Sequence, residues 1–143
     1  MIAKSLLSLS TVLLLTFGVA VAPLAAQAPK ALGTARIPAT VANGQALAAG
    51  TYTLRLSTEP VTPVVGQGPD AAKWVEFVQA GQVKGKELAS VVSPADVKAV
   101  AKRTPPAPGA AMVQALNGSN YVRVWLNSGG TQYLVHLTRA TAK

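Results

Sequence analysis

The sequence predicts a mainly β protein: a single antiparallel β-sandwich or barrel of about seven short strands with one short helix. Three observations carry that expectation. Apolar residues recur at every second position in short runs, as in Tyr52, Leu54 and Leu56. Gly, Pro, Asn and Asp interrupt those runs at short intervals. Only the stretch after Ser93 shows helical spacing, so the alternating period dominates the chain.

The first residues stand apart from this pattern. Lys4 precedes an apolar run that reaches Ala22, and small residues with a helix-breaking Pro23 follow. That order reads as a secretory signal peptide over residues 1–26, with one β domain over 27–143. An uncleaved anchor is the alternative, since Leu6 to Ala22 is nearly long enough to span a bilayer; the small-residue exit favours cleavage. Ala26-Gln27-Ala28 has the small-x-small form, but cutting after it leaves Pro29 first, which suits a protease poorly. Cutting after Ala26 avoids this.

The domain begins with a strand over Thr34–Val41, which places Ile37, Ala39 and Val41 on one side. Pro38 cannot donate to a ladder, so this strand belongs at an edge or carries a break. Asn43-Gly44 suits a tight hairpin turn, because both residues tolerate positive φ. Leu47, alone among small residues, reads as a core plug. Ala49-Gly50 turns the chain into a half-buried strand over Thr51–Ser57. Thr58–Ala72 is loop by its prolines and glycines. In Lys73–Gln79, Val75 and Phe77 alternate with Trp74, Glu76 and Val78. Apolar groups on both sides predict a central strand covered on each face. Ala80-Gly81 then leads into Gln82–Val92, interrupted at Gly85.

Ser93 can cap a helix over Pro94–Lys102, with Pro94 in its first turn and Asp96 complementing the dipole. Val97 and Val100 are expected to pack it on the sheet. Thr104 before Pro105 ends it, and a stiff Pro-rich connector follows. Ala111–Leu116, Tyr121–Asn127 and Thr131–Arg139 complete the strands. Asn117-Gly118-Ser119 matches a glycosylation acceptor and equally a hairpin turn.

The side chains available for chemistry are few. There is no cysteine, which removes disulfides, thiolate metal sites and a lipid-bearing cysteine from consideration. His136 is the only histidine, and neither a nucleophile elbow nor a nearby carboxylate accompanies it. Glu59, Asp70, Glu76, Glu87 and Asp96 form no metal-ligand spacing. Glu76 and Glu87 are expected to pair with Lys73, Lys84 or Lys86 across the strands. No phosphate loop or dinucleotide motif occurs, so no cofactor is expected. The net charge of +8 implies attraction to anions. Nucleic acid is not the expected one, because Lys84, Lys86, Lys98, Lys102 and Arg103 have no interleaved aromatics as stacking platforms.

The strongest candidate for a binding site lies on the hairpin Asn120–Ala140. Closing it at Ser128-Gly129 pairs Leu126 with Thr131, Val124 with Tyr133 and Val122 with Val135. Val122, Val124, Leu126, Tyr133 and Val135 then face the core. The opposite face gathers Tyr121, Arg123, Trp125, Gln132, Leu134 and His136. It is either covered by another strand or loop, or it is an exposed aromatic-basic patch for a polysaccharide or protein partner. Tyr121, Arg123, Trp125, Gln132 and His136 are its candidate binding residues.

The stretch "IPATVANGQALAAGTYTLRL" resembles an N-terminal pattern, N-G-x-x-L-x-A-G-x-Y-x-L, of small exported bacterial β domains of unknown function. Asn43, Gly44, Leu47, Ala49, Gly50, Tyr52 and Leu54 carry the resemblance. It implies a secreted β domain and brings no catalytic residues. The expected role is therefore an exported, non-catalytic binding or structural domain, periplasmic or extracellular, without membrane insertion after cleavage. Its partner would be a polysaccharide, a cell-envelope component or a protein. The alternatives are an accessory subunit whose open strand edge pairs with a partner, or a hydrolase using dispersed carboxylates.

Overall fold

The computed structural model describes residues 29–100 and 103–141. The expected signal peptide lies outside them. The strands are β1 (Ala31–Ile37), β2 (Thr40–Ala42), β3 (Gln45–Leu47), β4 (Gly50–Leu56), β5 (Ala72–Gln79), β6 (Gln82–Val92), β7 (Ala111–Leu116), β8 (Tyr121–Ser128) and β9 (Thr131–Arg139). One helix, α1 (Val97–Val100), sits between β6 and β7.

All described strand pairs are antiparallel. Seven strands run in the order β1-β4-β5-β6-β9-β8-β7 and curl into a nearly closed barrel. The remaining seam brings β1 against β7 and β8 with no ladder between them. The small β2–β3 hairpin joins the half of β9 that β6 leaves free, through Thr40 opposite Arg139 and Val41 opposite Thr138. The expected mainly β, barrel-like class is therefore correct.

Local chemistry accounts for the tight turns. Asn43-Gly44, Ala80-Gly81 and Gly129-Gly130 each hold two consecutive residues at positive φ, which matches the twist of the strands they join. One core fills the barrel, with Tyr52, Phe77, Leu54, Val75, Val124, Leu126 and Val135 at or below 1% exposure. Tyr52 and Phe77 meet edge to face, their centroids 6.2 Å apart. Leu47 plugs one end as expected, and its close approach explains the glycine facing it. A Cβ on Gly85 would stand 3.0 Å from a Leu47 methyl.

Several local expectations need correction. Pro38 and Ala39 break the first strand into β1 and β2, and the break reverses the faces: Thr40 and Ala42 are buried, while Ala39 is exposed and Val41 half-buried. β5 is central but covered on one face only. Val75 and Phe77 are fully buried; Trp74, Glu76 and Val78 remain half-exposed on the convex outside of the barrel. The carboxylates choose other partners than expected. Glu76 binds Arg55 at 2.7 Å on the neighbouring strand, Lys86 pairs with Glu59, and Glu87 accepts the Asn43 N–H.

The helix is one turn among the described residues. Ser93 caps it as expected, its Oγ accepting from the Asp96 N–H at 3.2 Å. Val97 is half-buried against the outer face of the sheet, but Val100 is 46% exposed and packs no core. The β8–β9 register also differs. The turn is Gly129-Gly130, which pairs Leu126 with Tyr133, Val124 with Val135 and Val122 with Leu137. A shift of two partners keeps every side chain on its face, so the expected core residues are all buried and Leu137 joins them.

Candidate functional site

The face opposite the core on β8 and β9 divides into two halves. Toward the turn, Trp125 is 1% exposed, Gln132 3% and Leu134 5%. Trp125 and Leu134 join Val92, Val97 and Met112 in a second, smaller apolar cluster on the outside of the barrel. The Trp125 indole N–H donates to Gln132 Oε1 at 2.6 Å, and Gln132 Nε2 donates to the Gly130 carbonyl at 3.1 Å. Every polar atom of that pair useful to a ligand is thus spent internally. The connector helps to seal this end, because Asn127 Nδ2 donates to the buried Pro106 carbonyl at 2.8 Å. Trp125 and Gln132 are therefore structural, and the expected exposed aromatic-basic patch does not exist as a unit. The other expectation for this face, cover by a neighbouring segment, holds over its turn half.

Away from the turn the same face is open. His136 is exposed, Arg123 half-buried, and Arg123 Nε donates to His136 Nε2 at 3.0 Å. Partial burial lowers the His136 pKa, and the Arg123 charge adds to the effect. The ring is thus neutral at neutral pH, with its Nε2 lone pair committed to the guanidinium. Tyr121 is 44% exposed and lines a separate groove with Thr138 and Arg139.

β7 brings residues that the sequence reading left out. Its pairing places Met112 beside Trp125 and Gln114 beside Arg123. With Arg103, Arg123, Val113 and Leu116 they line a groove of about 520 Å³. The Gln114 amide oxygen is shielded from solvent and has no hydrogen-bond partner among the described residues. The signal for Gln114 was present in the sequence. Turning the chain at Asn117–Asn120 sets Leu116 opposite Tyr121, and Gln114 opposite Arg123 follows two residues on.

The groove is positive. Among the described residues the three ion pairs are Arg55–Glu76, Lys73–Asp70 and Lys86–Glu59, none of which involves Arg103 or Arg123. The other two carboxylates are held by Asn43 and Ser93. Among the described residues no three His, Asp or Glu side chains gather as metal ligands. Comparison with family models, curated proteins and solved structures returns no match to this chain.

Proposed function

We propose that this chain is an exported, non-catalytic binding domain whose groove beside β7 takes an anionic ligand with an apolar portion. One observation carries the reading: Arg123 is oriented by neutral His136, has no carboxylate partner among the described residues, and borders a groove lined by Met112 and Trp125. A guanidinium held in place by a hydrogen bond is preorganised for a carboxylate or phosphate, and loses less entropy on binding than a free side chain. The same bond argues against catalysis, since the Nε2 lone pair that a general base needs is already engaged. Export rests on the charge, apolar run and small-residue exit of residues 1–26.

The test is binding of polyglutamate and polygalacturonate, with neutral dextran as control, followed by calorimetry at two salt concentrations. Both polyanions are expected to bind, and Arg123→Gln to weaken them by about tenfold, the loss of one charge-assisted contact. Equal binding of dextran, or no effect of Arg123→Gln, would remove the groove as the site.

A further inference from the structure

We infer that the open seam between β7 and β1 receives one extended strand of an acidic partner protein, which pairs with the free edge of β7. This rests on the anionic-ligand reading above and names its partner. β7 bonds to β8 along one edge and, among the described residues, to no strand along the other. Its start is pinned to β1, where a Cβ on Gly33 would lie 3.3 Å from the Gly109 carbonyl oxygen. Beyond that point the seam opens. Val113 and Ala115 stand opposite Val124 and Val122, whose side chains are buried in the barrel. Yet Val113 is 37% exposed and Ala115 is exposed as well, so the inward row of β7 extends past the core. The groove is lined by the successive residues Met112 to Leu116 together with Arg123 and Trp125 of β8, and so runs along the length of β7.

The two strands at the seam differ in how they are protected. β1 carries a bulge between Ala31 and Gly33 and an exposed Arg36, both of which discourage pairing. β7, with sequence AMVQAL, has no charge, no proline and no bulge. An unblunted edge beside a positive groove is suited to strand addition. Alternation then defines the occupant: apolar side chains toward Val113 and Ala115, acidic ones toward Arg123 and Gln114. A second copy is disfavoured by the net charge of +8. Residues 1–28 contain no carboxylate, and the five carboxylates of the chain are engaged elsewhere.

The probe is a peptide of about eight residues alternating Glu and Val, long enough to span β7, titrated into the exported protein. Two further peptides carry N-methyl groups on alternate backbone amides, one set on each edge. The alternating peptide is expected to bind and to slow amide exchange in Val113–Leu116. At least one methylated peptide should bind about tenfold more weakly, because its pairing edge is blocked. Val113→Lys, at an exposed position, should abolish binding with an unchanged melting temperature. If both methylated peptides bind like the parent while Arg123→Gln still weakens all three, charge alone holds the ligand; strand addition is then overturned and the anionic reading survives. If neither the peptide nor the polyanions bind, both fall. A Lys-Val peptide that binds equally well overturns the acidic partner, and a dimer that Val113→Lys dissolves assigns the seam to a second copy instead.

Discussion

Trp125, Gln132 and Leu134 are buried at the turn end of the β8–β9 hairpin, while Tyr121 and His136, on the same face of the same strands, meet solvent. Both ends alternate apolar or aromatic with polar residues, and their strand chemistry is alike. What differs is the cover. β6 pairs with Gln132–Val135 only, and the chain leaving it carries Val92 and Val97 over Trp125. The Pro-rich connector then returns along Asn127. Nothing comparable crosses Arg123 and His136 among the described residues, so the guanidinium N–H groups that His136 does not accept from remain available. A strand's outward face is thus core or site according to what the connecting chain lays across it.

The largest contrast should come from truncating one aromatic at each end. Trp125→Ala is expected to destabilise the protein by about 3–5 kcal/mol, and Tyr121→Ala by about 0.5 kcal/mol or less, in urea unfolding. In the Trp74→Phe background, iodide should fail to quench Trp125; efficient quenching would break the comparison. Next in size is the polar pair. Gln132→Leu leaves the indole N–H of Trp125 buried without its acceptor and should cost about 1–3 kcal/mol by the same measurement.

The helix sharpens the boundary of the cover. Val97→Asp places a charge against Val92 and Trp125 and should lower stability by about 1–2 kcal/mol, whereas Val100→Asp should stay within about 0.5 kcal/mol. Equal effects would mean that α1 packs on the sheet along both valines.

The smallest effect is electrostatic. The His136 pKa is lowered on folding, so the unfolded chain binds a proton first as pH falls. The stabilisation from neutral His136 is complete above its ordinary value of about 6.5 and declines from there down to the lowered native value. Protonation also removes the acceptor for Arg123 Nε. His136→Gln should flatten that part of the stability–pH curve, measured by denaturant unfolding at a series of pH values. An unchanged slope would show that the ring is hydrated like a free histidine.

Much of the fold was legible in the chain itself. Alternation placed Tyr52, Leu54, Val122, Val124, Leu126, Tyr133 and Val135 inward, because a strand with one buried face repeats every second residue. Positive-φ dipeptides located turns such as Asn43-Gly44, since few residue types tolerate that backbone. The hairpin register came out two partners away, because Ser128-Gly129 and Gly129-Gly130 are both competent turns and a shift of two preserves the faces. The outer surface was decided only by tertiary structure. Whether Trp125 is a binding platform or a core residue depends on where the chain after β6 runs, and Gln114 reaches Arg123 only through the β7–β8 ladder. Local sequence encodes which side of a strand is apolar; long-range packing determines which apolar side meets water.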